Sequence, residues 1–144
     1  MTCAFCRIIS GEVEGHIVFE DAVSLSFLDH RPLFPGHSLL VPKNHYETLN
    51  DLPTELIEPL FANARLMARA VERAMKAEGT FIAINNRVSQ GVPHLHIHIV
   101  PRRKKDGLKG FFWPRNPYKG EAELLKTRKS IQKAVAHIQS QESV

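Results

Sequence analysis

The sequence predicts an α+β fold: an antiparallel sheet packed with one main helix and followed by a second helix near the C-terminus. Three observations carry this. Between residues 17 and 42 short strand-like segments follow one another through connections too brief for parallel crossovers. Between residues 53 and 78 the apolar period changes from two to three or four. Residues 80–101 then read strand, turn, strand, which is a hairpin. A length of 144 residues with 43% hydrophobic content suits one domain, 1–144, with one ordinary core.

Taken in order, IVFE (17–20) is a strand, the Glu20–Asp21 pair a turn, and VSLSFLD (23–29) the next strand. In that strand Val23, Leu25 and Phe27 alternate with Ser24 and Ser26, as expected when one face is buried. RPLFPG turns the chain into HSLLVP (37–42). Leu56, Leu60, Ala64, Met67, Val71 and Met75 then form an apolar stripe along a helix, with Arg65, Arg69, Glu72 and Lys76 mostly on the other side. Pro53 suits the first turn, Pro59 is expected to delay or kink the main helix, and Gly79 to stop it. TFIAIN (80–85) and HLHIHIVP (94–101) are strands joined by NRVSQGVP. Past Pro101 the glycine, proline and aromatic content of KKDGLKGFFWPRNPYKG predicts an extended loop. Residues 121–139, with Leu124, Ile131, Val135 and Ile138, form a helix with a narrow apolar face.

The formal net charge of +4 comes mostly from Arg102, Arg103, Lys104, Lys105 and Lys109, and from Lys126, Arg128, Lys129 and Lys133. Such runs are either a solvated face or an attractor for phosphates; no specific nucleic-acid binding is expected. No run of about 18 apolar residues occurs, and the N-terminal stretch lacks the pattern of a secretory signal, so a cytoplasmic location is expected. Cys3 and Cys6, spaced CxxC, are better read there as metal-binding or redox-active than as a disulfide, and metal is favoured without a thioredoxin-like pattern behind them.

The segment HLHIHIVPRRKK places His94, His96 and His98 at alternate positions. Along a straight strand they share one face, spanning roughly 13 Å from His94 to His98. Three ligands cannot converge from that row onto one zinc at bonds of about 2.0–2.1 Å, although an adjacent pair could. A row suits neighbouring roles: attack, donation to developing charge, orientation. Imidazole can be a neutral nucleophile and a protonated acid near pH 7, and beside phosphate it can carry the transferred group covalently.

HLHIHIVPR resembles the His-x-His-x-His-x-x signature of the histidine-triad (HIT) superfamily of nucleotide-binding hydrolases and transferases, and FLDHRPLFPGHSLLVPKNH resembles that family's first half. The resemblance covers residues 3–101. It implies that His96 attacks the α-phosphorus of a nucleotide to give a transient nucleotidyl-histidine. His98 then contacts the phosphate and helps protonate the leaving group, the backbone carbonyl of His94 fixes the His96 tautomer, and His37 joins the triad. It further implies that Asp29 binds the ribose hydroxyls, that Phe5, Ile8, Phe27 and Leu39 wall the base, and that Asn85, or Asn86 if the register slips, touches the α-phosphate.

NNRVSQGVPH is shorter than the connection usual in such proteins. Gln90 keeps its expected distance from His94, but Gly91 stands where relatives commonly carry serine or threonine, leaving only a backbone N–H there for phosphate. Cys3 and Cys6 with His45 and His94 match the structural Cys₂His₂ zinc set of bacterial members, and the chemical step itself requires no cofactor. Family members are typically homodimers whose sheets join across the interface. The aromatics of 110–118 would then pack on a neighbouring subunit, cover the site, or fill the chain's own core.

The expected activity is hydrolysis or transfer of nucleoside monophosphate groups from purine nucleotides carrying an amine, a second nucleotide or an acyl group on the α-phosphate. Two other classes stay open. One is a nucleotide-sensing or scaffolding protein with little catalysis. The other is a metal-dependent hydrolase using His94 and His96 as ligands.

Overall fold

The computed structural model describes residues 2–108 and 115–142. The chain forms two compact units, Met1–Asp106 and Gly107–Val144. In the first, helix α1 (Ala4–Ile9) precedes strands β1 (Ile17–Glu20), β2 (Ser24–Leu28) and β3 (Ser38–Pro42); a 3-10 turn, Leu49–Asp51, leads into α2 (Thr54–Ala74), then β4 (Gly79–Ala83) and β5 (Ile97–Arg102). The strands make one antiparallel sheet in the order β1-β2-β3-β5-β4. This is the predicted α+β architecture, and β4 and β5 pair as the expected hairpin, from Gly79 opposite Arg102 to Ala83 opposite His98.

Each face of the sheet is covered, and that places the site. On one face Leu40, Leu95, Ile97 and Ile99 meet the α2 stripe of Leu60, Ala64, Met67 and Val71. Burying each of the larger side chains contributes about 1.5–3 kcal/mol. On the other face Leu25, Phe27, Leu39 and Val41 pack with Phe5 of α1, and Ile8 and Val92 close the edge of this second cluster.

Burial on both faces corrects the expectation for β2. Ser24 and Ser26 are fully buried alongside Leu25 and Phe27, because α2 lies over the serine side. Their hydroxyls are satisfied: Ser26 Oγ donates to the Leu39 carbonyl at 2.9 Å, and Asn63 of α2 donates to Ser24 Oγ and to Asp21 Oδ2, each at 2.7 Å. The helix expectations also shift. α2 begins at Thr54 and runs through Pro59, whose missing N–H would have reached only the first turn. It ends at Ala74 rather than Gly79, as Lys76 turns left-handed (φ 52°) and the Arg103 guanidinium donates to the Met75 carbonyl; Gly79 opens β4.

Two cations of the basic run, Arg102 at the end of β5 and Arg103 after it, are engaged within this unit. Arg102 pairs with Asp106, Nη2 to Oδ1 at 3.0 Å, and the Lys104 amide donates to Glu78 Oε1 at 2.9 Å. In the second unit, α3 (Glu121–Glu142) extends the helix expected over 121–139, and Leu124, Ile131, Val135 and Ile138 are all exposed. Lys109 and most of the aromatic 110–118 segment, with Phe111, Phe112 and Trp113, lie outside the described residues. Among the described residues no helix is long and apolar enough to cross a membrane.

Candidate active site

The histidine segment is only partly a strand. β5 starts at Ile97, so His94 and His96 precede it, and the intervening Leu95 amide donates to the Tyr46 carbonyl (2.7 Å) instead of to a ladder partner. The expected straight row is therefore broken at its first member. His94 turns into a cluster with both cysteines, whereas His96 and His98 line a cleft of about 760 Å³ on the α1 face of the sheet.

Hydrogen bonds fix the proton on each ring. His96 Nδ1 lies 2.7 Å from the His94 carbonyl, an acceptor only, so Nδ1 carries the proton and Nε2 keeps a free lone pair. The Leu33 amide donates to His37 Nδ1 at 3.0 Å, which puts the His37 proton on Nε2, facing His98 Nδ1 at 3.0 Å. His98 Nδ1 must then accept, leaving Nε2–H as its donor. Burial first, then the neighbouring His96 and His37, pushes the His98 pKa down to about 4, against a weaker pull from Asp29. His37 is also lowered, chiefly by burial. Both rings are neutral near pH 7, so His98 donates a hydrogen bond without bringing a charge.

The β2–β3 loop sets Asp29 and His37 together. The Asp29 amide donates to the His37 carbonyl (2.9 Å), Asp29 Oδ1 accepts from the Arg31 amide (2.9 Å), and Oδ2 lies 3.6 Å from His37 Nε2. Gly36 makes the turn possible: its φ is +98°, and a Cβ there would lie 2.6 Å from Met75 Cγ.

Phe5, Ile8, Phe27 and Leu39 form the apolar end of the cleft, and Asp29, Asn85 and Gly91 line its polar side with His96 and His98. Phe5 meets the rings of Phe27 and His96 edge-on, at centroid distances of 5.3 and 5.0 Å. Two candidates fall elsewhere. Gln90 Nε2 donates to the Glu47 carbonyl (2.6 Å) and its Oε1 accepts from the Arg87 amide (2.7 Å), so it staples the loop behind the cleft. Asn86 Oδ1 accepts from the Leu49 amide, so Asn85 is the asparagine on the cleft wall. His16, His30, Arg31 and Ser89 also line the cleft. No spacing rule marked them, since none lies on a regular strand or helix.

Behind the cleft, Cys3 Sγ, Cys6 Sγ, His45 Nδ1 and His94 Nδ1 lie within 4.8 Å of one another. Three of the four sulfur–nitrogen separations are 3.4–3.5 Å and the two nitrogens are 3.1 Å apart. A tetrahedral zinc with ordinary Zn–S and Zn–N bonds needs edges of about 3.6 Å and about 3.3 Å, so the donor set fits. His94 Nε2–H donates to the buried Pro42 carbonyl at 2.9 Å, which turns the Nδ1 lone pair toward the cluster. Burial and the adjacent Cys3 push the Cys6 thiol up when no cation offsets them.

A model of the HIT domain matches residues 10–105. The chain belongs to the HIT family. This HIT protein is 37% identical over 108 residues to an adenylylsulfatase of Arabidopsis thaliana, covering 74% of this chain and 55% of that one. It is 36% identical over 109 residues to an adenosine 5'-monophosphoramidase of Saccharomyces cerevisiae, covering 74% and 66%. The chain thus spans about half to two thirds of these curated relatives. The crystal structure of a zinc-bound histidine triad family protein from Mycobacterium smegmatis superposes with a TM-score of 0.71 at 36% identity, covering 97% of each chain. That protein binds zinc, and the Cys₂His₂ cluster of this HIT protein is a donor set of the kind zinc takes. His94 and His96, proposed above as joint metal ligands in one reading, serve different sites: the His96 ring is not part of that cluster.

Proposed function

We propose that this HIT protein hydrolyses or transfers a nucleoside monophosphate group through a nucleotidyl-His96 intermediate. The observation that carries the reading is the 2.7 Å contact between His96 Nδ1 and the His94 carbonyl, which presents a neutral Nε2 lone pair in the cleft. The base would lie against Phe5, Ile8, Phe27 and Leu39, with the ribose hydroxyls on Asp29 and the α-phosphate near Asn85, Gly91 and His98.

His96 Nε2 attacks the α-phosphorus as the bond to the leaving group breaks; the neutral His98 Nε2–H donates a hydrogen bond to the departing atom, which takes its proton from solvent. The new imidazolium keeps its Nδ1–H on the His94 carbonyl, which disperses its charge. Water then attacks phosphorus and loses its proton to solvent as the bond to His96 Nε2 breaks, which restores the neutral His96. Leaving groups of amine, nucleotide or acyl type all suit this sequence, and the names of the two curated relatives support an adenylyl group as the part transferred.

Cys3, Cys6, His45 and His94 would hold zinc as a structural ion, with its chemistry confined to fixing α1 and the His94 ring. The edge strand β4, where Ile82 is half exposed, suits a homodimer whose two sheets join. A reducing compartment such as the cytoplasm keeps both cysteines available as ligands.

The test is His96→Ala with an adenosine phosphoramidate and a dinucleoside polyphosphate, alongside acid-free quenching of the wild type on labelled substrate. Loss of turnover by more than about 1,000-fold and an adduct on His96 are expected. Full turnover by the variant would defeat the proposal.

A further inference from the structure

The two cysteines bracket a single turn of chain. Cys3 is the N-cap of α1: its carbonyl accepts from the Arg7 amide (3.1 Å), and its sulfur accepts from the Cys6 amide at 3.4 Å. Residues three apart on such a turn have α-carbons about 5 Å apart, inside the range of about 4.4–6.8 Å that disulfides span. The two sulfurs already lie within 4.8 Å of each other, so rotation about side-chain bonds can join them with little backbone movement. Both residues are half-buried rather than enclosed, and the contact of Cys6 Sγ with His45 lies at the surface, where a small oxidant reaches it. The ring that would close contains Phe5, whose side chain packs on Phe27 and His96.

We propose that Cys3 and Cys6 are an oxidation site, at which hydrogen peroxide exchanges the metal for an intrachain disulfide and releases α1 from His45 and His94. A metal-bound sulfur is a thiolate, the form that attacks peroxide. Cys6 Sγ attacks one peroxide oxygen and the O–O bond breaks, giving a sulfenic acid and hydroxide. Cys3 Sγ then attacks the Cys6 sulfur; the S–S bond forms, the S–O bond breaks, and a second hydroxide departs. The sulfurs together lose two electrons, and the peroxide, with two protons from solvent, ends as two waters. Only His45 and His94 then remain of the donor set, too few for a site that closes with four ligands. α1, at six residues, is held by that cluster and by Phe5, so oxidation frees the helix and with it the aromatic wall of the cleft. Neither sulfur takes part in the proposed reaction, and only the effect on nucleotide affinity rests on that reading.

The test takes the full chain loaded with zinc, treats it with hydrogen peroxide, and then adds a dithiol reductant with zinc. The readouts are thiols open to alkylation, intact mass, zinc passed to a chromogenic chelator, amide exchange over residues 4–9, and calorimetric affinity for adenosine monophosphate. Both thiols should disappear with a mass loss of two hydrogens per chain, and the zinc should leave with them. Residues 4–9 should exchange while β2, β3 and β5 stay protected. Affinity for the nucleotide should fall by about 10-fold, the scale of one lost aromatic contact. Reductant with zinc should restore every readout. Cys3→Ser cannot close the bridge, so its mass should rise by oxygen under the same treatment.

A wild-type chain that keeps its thiols and zinc under peroxide that fully oxidises free cysteine would overturn the proposal. Sulfinic acids, or a bridge between chains in place of the internal disulfide, would do the same. So would a disulfide that leaves residues 4–9 protected or nucleotide affinity unchanged. A chain that takes up no zinc also overturns it, because the change is an exchange of metal for disulfide. If the reduced, zinc-loaded protein binds no adenosine monophosphate, the nucleotide reading fails alone, and thiols, zinc and amide exchange still decide the cysteines.

Discussion

Phe5→Ala is the perturbation that tests how the metal cluster and the cleft depend on each other. Phe5 lies between Cys3 and Cys6 in sequence, is 7% exposed, and packs edge-on against both Phe27 and His96. A phenylalanine buries about 150–250 Å², worth roughly 4–6 kcal/mol at about 25 cal/mol per Å². A compact unfolded chain and the methyl that remains reduce this to about 3 kcal/mol, at the lower edge of the usual Phe→Ala range. α1 has only six residues and cannot hold itself as a helix, so it depends on this ring and on the cluster at its N-terminus. The variant, saturated with zinc, should lose about 3 kcal/mol in urea titration followed by circular dichroism. It should also bind adenosine monophosphate about 10-fold more weakly and release zinc more readily to a competing chelator. A stability loss under 1 kcal/mol with unchanged zinc affinity would refute the coupling.

Two further outcomes follow from the protonation and ligand geometry. His98 is depressed to about 4 in the folded protein against about 6.5 unfolded, so below pH 6.5 the unfolded chain takes up a proton that the native one refuses. Stability is complete above about 6.5 and declines toward pH 4, by about 2–3 kcal/mol after discounting for partial exposure; His37 acts in the same direction. His98→Gln at constant metal saturation should flatten that decline in denaturant midpoints, and an identical slope would contradict it. Removing bound metal with a chelator should expose the amides of residues 4–9 to hydrogen exchange while β2, β3 and β5 stay protected, and unchanged protection of α1 would show that the cluster does not anchor it.

Regular elements were legible where one periodicity ruled. The α2 stripe was, because Leu60, Ala64, Met67 and Val71 all point into one core. β2 was half legible: alternation found Leu25 and Phe27, but buried serines look like exposed ones until Leu39 and Asn63 are seen to meet them. α1 was not foreseen at all. In CAFCRII the helix is capped by Cys3 Sγ accepting from the Cys6 amide (3.4 Å), and it is held by distant residues, so nothing local announces it. In the site, the family resemblance singled out Asp29, His37, Asn85, His96 and His98, and the fold puts Asp29, Asn85, His96 and His98 on one cleft with His37 against His98, while the roles given to them remain proposals. Residues whose use depends on backbone direction could not be placed from sequence. Gln90 turns away from the cleft and Ser89 toward it, a choice made by left-handed φ values that sequence does not display.

The three histidines that appeared equivalent differ because the strand begins late. Had β5 started at His94, all three rings would have shared one face and the cysteine pair would have lacked its buried partner. With Leu95 bonded to Tyr46 instead, the chain enters the sheet only at Ile97, and His94 can give its ring to the cysteines and its carbonyl to His96. One residue thereby ties the metal cluster to the tautomer of the nucleophile. It follows that His94 variants should damage both sites at once. Cys6 variants should reach the cleft only through α1, leaving the His94 carbonyl, and with it the Nδ1 proton of His96, in place.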